Sequence, residues 1–84
     1  MDKKELQILS NTLNDEYGFK FIYLLLNELG AFDRGINRNA ENKEIFMLLG
    51  KREKGQWLLD NIFLANKEKY IELLDKKERE NNNG

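Results

Sequence analysis

The sequence predicts an all-α fold: a small bundle of about four helices around one core, with a long third helix. Three observations carry this. Proline, the strongest helix breaker, is absent from all 84 residues. Apolar residues recur at spacings of three and four rather than two. Asparagine, aspartate and glycine stand where such apolar runs begin and end.

The first helix is expected over residues 3–13, where Leu6, Leu9 and Leu13 form one stripe and Asp2 can cap the start. A helix this short needs tertiary packing to hold it. The second is expected over 15–29. Asn14 is its expected N-cap, and Asp15 and Glu16 suit the positive end of the helix dipole. Ile22, Leu25, Leu26 and Leu29 are assigned to the core, with Phe21 and Leu24 widening the stripe and Phe19 and Tyr23 adding to it. So few polar positions remain that a central place in the bundle is expected. Gly30 reads as the left-handed residue that stops this helix.

Residues 30–40 read as a loop rich in turn formers, pinned by Phe32 and Ile36. The long helix is expected over 40–65, capped by Asn39, with Glu41 and Glu44 in its first turns. One stripe runs Ile45, Leu48, Leu49, Arg52, Leu59, Ile62, Phe63; a second holds Phe46, Trp57, Leu58 and Leu64. Gly50 and Gly55 each cost about 1 kcal/mol against alanine inside a helix. They allow a break around 51–54, but helix formers fill that interval and one continuous helix is preferred. Close approach of another backbone or a large ring is the expected reason for them, and a docking surface is the rival reason. A last helix is expected over 67–79, capped by Asn66, with Tyr70, Leu73 and Leu74 as its apolar edge. The organisation expected is a single helical domain over 1–80 and a disordered tail over 81–84. Leu25, Leu29, Leu49, Leu59 and Ile62 are named as core. A chain of this size holds one modest core, with a stability of about 4–10 kcal/mol.

Composition argues against several classes of function. With no histidine and no cysteine, the usual general base near neutral pH, the soft metal ligands and the thiol nucleophile are missing. Ser10 and Thr12 are the sole hydroxyl residues apart from the tyrosines. No catalytic, metal or cofactor site is therefore expected, and the chain is read as a non-enzyme. A net charge of −1 shows no footprint for nucleic acid. Arg34, Arg38, Lys51, Arg52 and Lys54 are the basic residues that would have to supply one, and a solvated face is the better reading of them. Arg52 differs, since it sits on an apolar stripe and should bury its stem. Asp2, Glu5 and Gln7 are unlike a secretory leader, and the apolar run Phe21–Leu26 is far too short for a membrane span.

One resemblance narrows the setting. Gly18 and Lys20 open the second helix, Gly30-Ala31-Phe32 closes it, Gly50-Lys51-Arg52 stands in the long helix and Gly55 follows, with NKEKYIELL as a final segment. This pattern, over about residues 15–75, resembles the small tailed-phage protein family called Bbp-nineteen-like. That family has Gly-Arg-Arg where this chain has Gly-Lys-Arg, and often proline where this chain has Asp15. Lysine is a point charge and not a fork, so a bidentate grip at position 51 is not implied. The resemblance implies no enzymatic activity and a place in the virion or its assembly, in the host cytoplasm or the particle. The partner expected is another protein, from the phage or the host, and a homo-oligomer is allowed. An inhibitor of a host enzyme is the alternative, and weak nucleic-acid binding a third reading. The residues proposed to meet a partner are Arg34, Arg38, Gly50, Lys51, Arg52, Lys54, Gly55 and Trp57, with Phe46, Tyr23 and Tyr70 as further aromatic anchors.

Overall fold

A computed structural model describes residues 1–32 and 42–83, with backbone alone for 42–49 and Asn83. Those residues form four helices and no strand: α1 (Lys3–Asn14), α2 (Glu16–Glu28), α3 (Asn42–Ala65) and α4 (Lys67–Asn83). The chain is thus a small all-α bundle, as its periodicity predicts. Asn39, the expected N-cap of α3, and the loop residues Arg34, Ile36 and Arg38 lie outside the described residues.

Local chemistry explains the helix ends. Asp2 and Glu5 form a reciprocal capping box, with N–H to carboxylate distances of 2.8 and 2.9 Å. Asp15, not Asn14, caps α2: its carboxylate accepts from the Gly18 N–H at 2.8 Å, while Asn14 is the last residue of α1. The extended backbone of Asp15 (φ −84°, ψ 135°) makes the corner between the two helices. There the chain doubles back so tightly that a Cβ at Gly18 would stand 2.1 Å from the Thr12 carbonyl oxygen. Asn66 caps α4, accepting from the Lys69 N–H at 3.2 Å. Its amide also donates to Ser10 and Asn14, both at 3.3 Å, which ties the α3–α4 corner to the end of α1.

The end of α2 is a Schellman turn. Gly30 has φ 68°, its N–H donates to the Asn27 carbonyl at 3.1 Å, and the Ala31 N–H donates to the Leu26 carbonyl at 3.0 Å. The turn carries Ala31 onto α3 at Gly55. A Cβ built there would meet the Ala31 Cβ at 2.9 Å and its Cα at 3.1 Å. Gly55 is buried at this contact, and α3 runs through both glycines without a break. The close approach of a backbone, expected from the two glycines, therefore occurs at Gly55. Gly50 is exposed and, among the described residues, has nothing within 4 Å of the added atom.

The hub is α3, which touches each of the other helices. Leu9, Leu13, Ile22, Tyr23, Leu26, Leu58, Leu59, Ile62 and Leu73 form the core, with Leu13, Leu26, Ile62 and Leu73 completely enclosed. Of the core expected from sequence, Leu59 and Ile62 are buried, Leu25 and Leu29 are half-buried, and the Leu49 side chain lies outside the described residues. Helix α2, expected at the centre of the bundle, is buried on one side alone. It supplies Ile22, Tyr23 and Leu26 to the core, but Phe21 and Leu24, assigned to a widened core stripe, face outward and leave one side of the helix open. Helix α4 runs to Asn83, so residues 81–83, expected as a disordered tail, continue the helix. The body measures 40 × 33 × 18 Å, a slab about two helices thick.

Two stability predictions follow from this packing. Gly55→Ala should lower stability by about 1–3 kcal/mol, because one methyl cannot enter a contact made by backbone. Gly50→Ala should raise it by up to about 1 kcal/mol through helix propensity; urea melts of the two variants check the opposite signs. Leu26→Ala should cost about 2–5 kcal/mol and half-buried Leu25→Ala distinctly less, by the same measurement.

Candidate functional site

Of the described residues singled out by sequence, Lys54 and Trp57 line one groove and the others lie elsewhere. Lys51 and Lys54 are exposed on α3. Arg52 is half-buried and lines a groove between α3 and α4 with Leu59, Gln56 and Tyr70, as its place on the apolar stripe implies. Gly55 is packed under Ala31 and offers no surface, whereas Gly50 is exposed. Of the aromatic anchors, Tyr23 is a core residue and Tyr70 is half-buried, edge-on to Phe63 with ring centres 5.3 Å apart. Trp57 is half exposed, at 53%. The Phe46 side chain, Arg34 and Arg38 lie outside the described residues.

Trp57 borders an almost wholly apolar groove between α2 and α3, lined by Leu25, Leu29, Lys54 and Leu58. The groove adjoins an apolar face of α2. Tyr17 is 76% exposed, Phe21 62% and Leu24 66%. At 100° per residue these three lie within one 60° sector of the helix. Leu25, 40° further round the helix than Phe21, stands between that sector and the groove it lines. Glu28 closes the stripe at its C-terminal end; it is exposed and its carboxylate makes no hydrogen bond or ion pair among the described residues. Sequence reasoning placed Phe21 and Leu24 in the core. The signal that could have found them is excess: the apolar arc of α2 spans more of the helix than one small core can cover.

On its other side α2 is tied to α4 by polar contacts. The buried Tyr23 hydroxyl donates to the Glu80 carboxylate, and Lys77 donates to the Asn27 side chain at 2.8 Å. Lys76 stands 4.9 Å from the centre of the Tyr23 ring and 3.7 Å from Glu80. Burial, then the neighbouring carboxylate, pushes the Tyr23 pKa above its usual value. These groups hold the helices together and leave the outer face of α2 uncommitted.

Among the described residues, every buried polar side-chain atom has a hydrogen-bond partner, no three acidic residues converge as metal ligands, and no helix is long and apolar enough to cross a membrane. The exposed apolar residues of α2 and Trp57 of α3 are the candidate site. No family model, curated protein or solved structure matches this chain. The likeness to the tailed-phage family rests on the spacing of glycines and their neighbours alone.

Tyr23 generates a pH prediction. Its pKa is raised on folding, so the folded state holds the proton more tightly than the unfolded chain. That contribution is complete below about pH 10, the unfolded value, and is lost as pH rises through the folded one. Wild type should lose stability above pH 10 more steeply than Tyr23→Phe. At neutral pH the variant should be less stable by about 1 kcal/mol, for the lost hydrogen bond. Urea midpoints measured from pH 7 to 11 for both proteins check the slope and the offset.

Proposed function

We propose that this chain is a non-catalytic protein-contact module of a tailed phage, acting in the virion or during its assembly. The observation that carries the contact reading is the uncovered apolar surface formed by Tyr17, Phe21 and Leu24 of α2 and Trp57 of α3. Monomeric proteins rarely leave contiguous apolar patches beyond a few hundred Å² open to water, and larger ones mark interaction sites. Aromatic anchors such as Trp57 and Phe21 are the residues in which binding energy concentrates. Support for the phage setting comes from the Gly18, Gly30-Ala31-Phe32, Gly50-Lys51-Arg52 and Gly55 pattern. The cluster Lys51, Arg52 and Lys54 is a weak basis for nucleic-acid binding, since Arg52 lies in the α3–α4 groove while Lys51 and Lys54 are exposed.

Particles and assembly intermediates carrying wild type, Leu24→Glu or Trp57→Ala test this. Wild type should be retained in one of those fractions. Both variants should be lost from it while their melting points stay near wild type, because substitutions at exposed positions usually change stability within about 0.5 kcal/mol. Absence of wild type from every fraction, with stoichiometric capture of a host enzyme, would replace the virion setting with inhibition of that enzyme.

A further inference from the structure

The exposed stripe of α2 has an internal symmetry that points to its occupant. Tyr17, Phe21, Leu24 and Glu28 recur at intervals of four, three and four, the spacing of a helix–helix seam. All four lie on α2 and all four are exposed. Reversed end to end, the order of intervals is unchanged. A second α2 laid antiparallel across the first, about an axis midway between Phe21 and Leu24, sets position 17 against 28 and position 21 against 24.

The chemistry matches in that register and in no parallel one. Phe21 meets Leu24 of the second copy, twice, at the dry centre. Tyr17 meets Glu28 of the second copy at each end, where a phenol hydroxyl can donate to a carboxylate. The Tyr17 hydroxyl, like Glu28, has no hydrogen-bond partner among the described residues of its own chain. A parallel pair would set Glu28 against Glu28, two like charges without a donor. With a net charge of −1 per chain, two copies repel each other little.

The area also suits a second copy. With about 150–250 Å² for a large aromatic side chain and somewhat less for leucine, Tyr17, Phe21, Leu24 and Trp57 leave on the order of 500 Å² open per chain. A stable pair buries about 800 Å² per partner. The groove walls of Leu25, Leu29 and Leu58 flank the stripe and extend it toward that figure.

We propose that this chain forms a two-fold homodimer through antiparallel pairing of α2, with Phe21 and Leu24 at its centre and Tyr17–Glu28 pairs at its ends. The proposal rests on the protein-contact reading and names the partner of that surface as a second copy.

Sedimentation equilibrium across a concentration series tests the assembly. Wild type should reach twice the 10.0 kDa of one chain. Leu24→Glu, which sets a carboxylate against Phe21, should weaken the dimer by about 30-fold or more and keep its helical circular dichroism. The natural absence of cysteine allows a register test by disulfide formation. Tyr17→Cys mixed with Glu28→Cys should cross-link as a heterodimer, while Tyr17→Cys alone should not, its two copies lying about 16 Å apart along the seam. Self-linking of Tyr17→Cys, or a Leu24→Glu dimer as tight as wild type, would overturn the proposal. A wild type that stays monomeric overturns it too. In that case, loss of Leu24→Glu from particles would leave the contact reading standing with another partner, and its retention would remove both.

Discussion

The bundle depends on one close approach between backbones. At the end of α2 the chain passes through a left-handed Gly30, and the Ala31 that follows lies against α3 where Gly55 has no side chain. Neither glycine explains the joint alone. Without the left-handed turn, Ala31 would not reach α3; without the missing Cβ, α3 would be pushed away. The joint sets how far α2 stands from α3, and so decides that Ile22 and Leu26 reach the core beside Leu58 and Ile62 while Leu25 stops half-way.

The polar contacts complete this arrangement from the ends. Asn66 ties the α3–α4 corner to α1, and Tyr23 and Asn27 tie α2 to the last turns of α4. These ties use the inner flank of α2 and leave its outer flank bare. The apolar surface is thus a consequence of the packing: a helix whose apolar arc exceeds its buried side has to show the excess to water or to a partner. Nothing else among the described residues offers comparable means of recognition. Lys51 and Lys54 stand apart from Arg52, the α3–α4 groove is lined by mixed side chains, and the buried polar atoms of the described residues are all satisfied within the fold.

Much of the local structure was legible in the residues. Caps and stops are short-range chemistry, so Asp2, Asn66 and Gly30 announce helix ends that the structure shows. Asn14 and Asp15 are both good caps by residue type, and the choice of Asp15 depends on how the α1–α2 corner closes over Thr12. A disordered tail is expected over 81–84 because chain ends fray, yet α4 continues through Asn81–Asn83. Of the exposed apolar residues, Trp57 alone is expected at a surface from the sequence; Phe21 and Leu24 are assigned to the core.

Sequence by itself determined that the chain is helical, where its helices begin and end to within a few residues, and that α2 is apolar nearly all round. Those properties reside in spacing and in contacts over three or four residues. Tertiary structure alone decided which part of that apolar arc is buried. A periodic pattern specifies the width of a stripe, but not the side from which the other helices approach it. That side was set by the Ala31–Gly55 contact, two residues 24 positions apart whose only shared property is how little space they take.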